Sequence, residues 1–310
     1  MSGIEIISTG RKLPKKCVTN DDLKAFVDTD DEWITSRTGI KTRFYADGEK
    51  TYELARDAAL EAISRSGLEP KDISLCIVAT ITGDYATPSV ACMLQSELGF
   101  RTDIPAFDVN AACSGFIYAL NIAEKMLSEG EYALLIGVER LSKILDFTDR
   151  STCVLFGDGA GAMIACGNMQ HRFYGSMGAE GNKPALYVGG INEDASYVHM
   201  NGQEVFKFAT RAIESGIRKM LSESGLSMDD IAYIVCHQAN ARIIAHVQRR
   251  LKIPPEKMFM NLQKYGNTSG ASIPIALDEM NKAGMLKKGE KIIAVGFGAG
   301  LTWANCLIEV

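Results

Sequence analysis

Residues 64–73 read SRSGLEPKDI and residues 222–231 read SESGLSMDDI, with six of ten positions identical at an offset of 158. A second echo pairs GEYALLIG at 130–137 with GEKIIAVG at 289–296, at an offset of 159. Two matches at nearly one spacing imply that the chain carries one supersecondary unit twice. Each copy of the first echo follows a helical pattern (YELARDAALEAI; FKFATRAIESGIRKML) and precedes a short apolar run, LCIVAT or YIVCHQ. The expectation is a duplicated α/β unit, residues 1–168 and 169–310, each strand–helix–strand–helix–strand. Gly-bounded runs such as ALLIGV and IIAVGF look buried on both faces, so the sheets should be mainly parallel. Reactive groups are then expected at matching strand ends near the junction of the halves.

The 310 residues, 46% of them hydrophobic, exclude a disordered or fibrous chain. With 33 basic and 38 acidic side chains the net charge is −5, which argues against nucleic acid as the main partner. No apolar run approaches the ~20 residues of a membrane span, and the start MSGIEIISTGRKLPKK has no signal-peptide core. Eight scattered cysteines without a Cys-x-x-Cys pair, and four histidines, outline no zinc cage. Such cysteine usage fits a reducing compartment, and a cytoplasmic protein is expected.

Three segments carry candidate chemistry. Cys113 lies in NAACSGF, between the apolar IPAFDV and the helical FIYALNIAEKML. A thiol at a strand-to-helix turn meets free N–H groups and the positive end of the helix, which should lower its pKa and supply oxyanion donors. The competing reading is a buried structural cysteine. His237 ends the strand-like run IVCH of the second copy, as a donor, a base or a satisfied core histidine. Asn267, in YGNTSGAS ahead of IPIALDEM, occupies roughly the place in the second copy that the cysteine turn holds in the first; a helix cap is the competing role. The glycine-rich GFGAGLTW at 296–303 can aim backbone N–H groups at an anionic oxygen. Gly157–Ala162 fits G-x-G-x-x-A, but no acidic residue follows about 20 positions later, so the dinucleotide signature is incomplete.

AACSGF around Cys113, LFGDGAGA at 155–162, HQAN at 237–240, YGNTSGAS at 265–272 and GFGAGLTW together resemble the β-ketoacyl-[acyl-carrier-protein] synthase III family. These are initiating condensing enzymes of type II fatty acid synthesis, in the thiolase superfamily. The likeness runs from WITSRTG at 33–39 to the C-terminus in the family's order. It implies an α/β, thiolase-like, internally duplicated five-layer αβαβα fold, a homodimer, and no metal or redox cofactor. It further implies a ping-pong condensation in which acyl-CoA acylates Cys113 and malonyl-acyl carrier protein then loses CO2 to supply the attacking enolate. His237 and Asn267 would hold the enolate oxygen, and the backbone N–H groups of Cys113 and Ala299 the acyl oxyanion, with Ala299 standing where the family commonly has Gly.

By the same resemblance Trp33, Arg37, Arg150, Gly202 and Asn240 would hold CoA. Lys207, Arg242, Arg249 and Arg250 would form the basic surface that docks the acidic carrier protein, a local patch on a net-acidic chain. Their helical spacing alone is equally that of a solvated face. Thr87 would close the acyl pocket across the dimer interface, and its small size suggests room for longer or branched primers. Two other functions remain open: a related Cys-His-Asn polyketide or quinolone-type synthase using another acceptor, and a non-catalytic scaffold that keeps only the fold.

Overall fold

A computed structural model of the chain describes residues 3–190 and 197–310. Its first half contains, in chain order, β1 (Ile4–Lys12), β2 (Lys16–Thr19), α1 (Asp31–Thr38), β3 (Thr42–Tyr45), α2 (Thr51–Ser66), β4 (Ile73–Ala79), α3 (Val90–Leu98), β5 (Ala106–Val109), α4 (Gly115–Met126), β6 (Tyr132–Glu139) and β7 (Gly159–Gly167). The second contains β8 (Phe173–Ala179), β9 (Leu186–Tyr187), β10 (His199–Met200), α5 (Gly202–Ser224), β11 (Ile231–Cys236), α6 (Ala241–Leu251), β12 (Met258–Phe259), α7 (Leu262–Tyr265), α8 (Ser272–Lys282), β13 (Lys291–Gly298) and β14 (Thr302–Glu309).

Two five-stranded sheets repeat one topology, β1-β7-β6-β4-β5 and β8-β14-β13-β11-β12. The echoes of the sequence survive as strand register. Cys76 pairs with Leu134 in the first sheet and Ile234 with Ile293 in the second, so the offsets are 234 − 76 = 158 and 293 − 134 = 159. Local chemistry explains why those stretches were kept alike. Gly67 and Gly225 end α2 and α5 in the left-handed conformation, with φ of 74° and 70°, the usual glycine device for turning off a helix. A few residues later Asp72 accepts the Glu69 N–H and Asp230 accepts the Ser227 N–H, both at 2.8 Å.

The sheets are mixed rather than mainly parallel. β5, β4 and β6 run parallel, as do β12, β11 and β13, but β7 and β1, like β14 and β8, add as antiparallel strands. The turn from β13 to β14 spans only 299–301, whereas a parallel return needs a crossover of about a dozen residues or more. The Gly157–Ala162 run leads into β7 and not into a helix, which removes the dinucleotide reading.

α4 and α8 pack between the two sheets, α2 and α3 cover the outer face of the first, and α5 with α6 covers the second. These are the five layers expected for a duplicated thiolase-like chain. The middle layer buries a large apolar face: Phe116, Ile117, Leu120, Ile273, Leu277 and Met280 are all at most 1% exposed, each worth about 1.5–3 kcal/mol when buried. Residues of both halves share this one core, Ile77 and Leu135 on one side and Ile292 and Ile308 on the other. The N-termini of α4 and α8 therefore open at equivalent places where the sheets meet.

Candidate active site

Cys113 lies in a short 3₁₀ turn, Ala112–Ser114, that leads into α4. The equivalent turn Ser269–Ala271 leads into α8, and the two turns pack on each other. Each begins with a non-glycine residue in the left-handed region, Ala112 at φ 45° and Ser269 at φ 47°. Such backbone costs roughly 1–3 kcal/mol and persists only where its surroundings enforce it. The correspondence sets Asn110 of the first copy opposite Asn267 of the second, as 267 − 110 and 269 − 112 are both 157. The elbow carrying the thiol and the elbow carrying the carboxamide are thus two copies of one device.

Asn267 is held from both sides. Its N–H donates to Leu155 O at 2.8 Å, and its carbonyl accepts the Gly157 N–H at 3.0 Å. Oδ1 accepts the Ser269 N–H at 2.8 Å, which assigns the oxygen and leaves Nδ2 available to a ligand. His237 follows β11 and continues its ladder through an N–H bond to Val295 O at 2.8 Å. Its Nδ1 lies 2.7 Å from Ser272 Oγ, which also accepts the Gln238 N–H at 3.3 Å. A Ser272 proton donated to Nδ1 places the imidazole hydrogen on Nε2. Burial pulls the His237 pKa down to about 3, so the ring is neutral at physiological pH. It is a neutral donor, not a cation.

The fourth wall is the end of β13. A Cβ on Gly298 would lie 2.7 Å from the Cys113 nitrogen, so only glycine lets this strand reach the elbow. Thr302 ties the two together, with Oγ1 within 3.1 Å of Ala111 O, 2.9 Å of Ala299 O and 2.9 Å of Ser114 Oγ. Cys113 and Ala299 line one small cavity of about 50 Å³, closed by Ile81, Leu141, Phe156 and Val198. In this apolar setting burial pushes the Cys113 thiol up to about 12, with a hydrogen bond from Ser269 offsetting part of the rise. Loss of solvent thus works against the lowering expected from a helix start.

A cleft of about 380 Å³ on the same side is lined by Arg37, Gly202, Gln203, Phe206, Lys207, Asn240 and Arg242. Residues expected to hold CoA and residues expected to dock a carrier thus share one cleft. Trp33, on α1, has the guanidinium carbons of Arg37 and Arg150 each 4.5 Å from its ring centre. Asn240 Nδ2 donates to Arg37 O at 3.1 Å, tying α1 to the start of α6. Arg249 lines a neighbouring groove with Arg242 and His246. Arg250 is less free, since its Nε lies 2.9 Å from Glu214. Thr87 is exposed and is not part of the acyl cavity lining within one chain. Among the described residues no cluster of His, Cys, Asp or Glu could hold a metal ion, and no helix is long and apolar enough to cross a membrane.

Sequence reasoning missed the supporting hydroxyls and one acid. Ser269 and Ser272 sit inside the YGNTSGAS segment already singled out, and Thr302 inside GFGAGLTW. Glu139, fully buried at the end of β6, shows in the sequence only as a lone acid closing the apolar run ALLIGV.

An internally duplicated five-layer α/β fold, presenting a thiol from one half and two neutral donors from the other, defines the thiolase-like condensing enzymes. Comparison with known proteins narrows the class. Family models for 3-oxoacyl-[acyl-carrier-protein] synthase III match residues 107–179, and for its C-terminal part residues 221–310. The chain is 50% identical to a β-ketoacyl-[acyl-carrier-protein] synthase III of Clostridium acetobutylicum, covering 100% of this chain and 99% of that protein. A crystal structure of 3-oxoacyl-[acyl-carrier-protein] synthase III from Aquifex aeolicus matches with a TM-score of 0.94 and 44% identity, over 99% of this chain and 100% of that one. The priming β-ketosynthase of the R1128 polyketide pathway matches with a TM-score of 0.92 and 31% identity, over 99% of this chain and 96% of that one. The chain belongs to the β-ketoacyl-[acyl-carrier-protein] synthase III family, and it is an acyltransferase of the condensing type.

Proposed function

We propose that the protein initiates acyl chains in fatty acid synthesis. Cys113 takes an acyl group from acyl-CoA and releases CoA; malonyl-acyl carrier protein then loses CO2, and its enolate attacks the acyl-cysteine to give a 3-oxoacyl-carrier product. The observation that carries this reading is the meeting of two copies of one strained elbow, one bearing Cys113 and the other Asn267, at the end of the strand that presents His237.

Each group has a physical role. Cys113 is the nucleophile. The neutral His237, donating from Nε2, and the Asn267 amide are suited to a developing enolate oxygen, because neither must lose or gain a proton to donate. Cys113 and Ala299 line the small cavity, and their backbone N–H groups would hold the acyl oxyanion. Trp33, Arg37, Arg150, Gly202 and Asn240 would receive CoA, while Lys207, Arg242, Arg249 and Arg250 would meet the carrier. No metal or redox group is needed by these steps. A homodimer, with Thr87 near the partner's acyl pocket, and a cytoplasmic setting complete the proposal, as does a division into halves at 168/169 that share one core.

The likeness to a polyketide priming synthase supports a second reading, the same chemistry serving another acceptor. Incubation with acetyl-, isobutyryl- and longer acyl-CoA should add one acyl mass to the intact protein, and Cys113→Ser should abolish it. A wild-type protein left unmodified by every thioester would end the acyl-enzyme proposal.

A further inference from the structure

The steps above leave Glu139 without a task, although it is fully buried beside the nucleophile. Its Oε2 accepts from Thr82 Oγ1 at 2.5 Å, and the Ile81 N–H lies 3.2 Å from Oε1 and 3.3 Å from Oε2. Thr80 Oγ1 lies 3.4 Å from Oε2. The remaining contact points into the site: Ser269 Oγ lies 3.4 Å from Oε1. Ser269 and Cys113 line the same small cavity, on turns that pack against each other. Ser269 therefore stands between a carboxylate and a thiol, on a strained backbone that the Asn267 side chain helps to hold. A carboxylate kept only to pin Ile81 and Thr82 would have no reason to reach the serine of the opposite half.

We propose that Glu139 is the proton acceptor for Cys113 and acts through the hydroxyl of Ser269. The inference rests on Cys113 being the acyl-accepting nucleophile. The S–H bond of Cys113 breaks as its proton passes to Ser269 Oγ, while the serine O–H proton passes to Glu139 Oε1. The thiolate attacks the thioester carbonyl, and the departing CoA thiolate takes a proton back along the same path, restoring the carboxylate. One negative charge moves within the site, so a second is never created in it. That matters because a charged Glu139 itself raises the thiol pKa, and two like charges in a dry site repel strongly.

Protonation supports the assignment. Burial raises Glu139 to about 7, offset in part by the Thr82, Ile81, Ser269 and Thr80 hydrogen bonds, so it can accept a proton near neutral pH. Lys143 interacts electrostatically with Glu139 as well as with Arg140, Asp84 and Asp158. Lys143 Nζ donates to Thr82 O at 2.6 Å and Gly83 O at 3.0 Å, and Arg140 Nη1 lies 3.5 Å from Asp84. His237 is neutral throughout the range tested.

The test is single-turnover acylation of the full chain by acetyl-CoA, followed by intact mass from pH 5.5 to 9.5. The wild type should rise with pH through about 7 and then level, as Glu139 becomes able to accept. Glu139→Gln should lose that bend and fall by roughly 100-fold at pH 8, the scale of a lost general base. Ser269→Ala, which keeps the acid, should lose the bend as well, and Glu139→Asp should restore part of both. A melting curve accompanies each variant; if Glu139→Gln does not fold, Ser269→Ala decides. Rates within twofold of wild type, or slower rates with the bend intact, would overturn the relay while leaving the nucleophile standing. Failure of the wild type to gain acyl mass from acetyl-, isobutyryl- and longer acyl-CoA alike would overturn the nucleophile assignment and the relay with it.

Discussion

Ser272 Oγ lies 2.7 Å from Nδ1 of His237, and this contact crosses from the start of α8 to the end of β11. The hydroxyl also accepts the Gln238 N–H, and by donating its own proton to Nδ1 it favours the tautomer with hydrogen on Nε2. Ser272→Ala removes that bias. Condensation should fall by roughly tenfold to a hundredfold, less than the hundredfold to thousandfold typical of losing an oxyanion donor outright. Transfer of the acyl group from CoA to Cys113 should change little. Separate assays of acyl-enzyme formation and malonyl decarboxylation will resolve the two; equal loss in both would remove His237 from the second half-reaction.

Gly298 supplies a steric prediction. Alanine there would place Cβ 2.7 Å from the Cys113 nitrogen and 2.9 Å from its Cβ. Either β13 or the cysteine elbow must move, at about 1–3 kcal/mol for such overpacking. Gly298→Ala should therefore fold with a lower melting temperature and acylate at least about tenfold more slowly, since ångström-scale misplacement costs up to about a hundredfold. Acylation at the wild-type rate would show that the 298–299 turn does not position the thiol.

The elbows were legible before any coordinates because they are punctuated twice. Gly67 and Gly225 stop equivalent helices, Asp72 and Asp230 close equivalent turns, and Cys113 and Asn267 precede equivalent helical runs. The antiparallel strands were not legible. Gly157–Ala162, at the start of the strand Gly159–Gly167, is built from small residues that imitate a nucleotide-binding loop, and periodicity carries no information on strand direction. Ser269, Ser272 and Glu139 escaped because their meaning lies in contacts distant in sequence, 130 residues apart for Ser269 and Glu139 and 35 for Ser272 and His237. The desolvation of the thiol escaped for a related reason. A helix start is visible in the sequence, whereas the apolar enclosure of Cys113 by Ile81, Leu141, Phe156 and Val198 is not.

Two arginines on α6 should respond unequally to charge reversal. Arg242 lines the shared cleft, whereas Arg250 is engaged by Glu214 at 2.9 Å and stands farther out. Arg242→Glu should raise KM for the carrier substrate by roughly tenfold at low salt, shrinking as salt screens the field. Arg250→Glu should give a smaller rise. Steady-state kinetics against carrier and CoA substrates at two ionic strengths will separate them, and a response confined to the CoA substrate would move the docking surface elsewhere.

Acid stability should depend on His237. Its folded pKa is depressed to about 3 by burial, against about 6.5 for an exposed imidazole. Between these values unfolding takes up a proton, so the stability present above pH 6.5 is progressively lost as pH falls toward 3. Glu139 acts with the opposite sign, because its raised pKa of about 7 lets the folded state bind a proton first as pH falls. Its contribution grows through 7 and is complete below the ordinary carboxylate range. His237→Gln should thus lose less melting temperature than wild type between pH 7 and pH 5, and Glu139→Gln should lose more. Urea unfolding at both pH values provides the check, since two-state midpoints report stability directly. Identical pH slopes in wild type and His237→Gln would mean that the imidazole is charged or solvated in the folded protein, which would remove the neutral donor from the site.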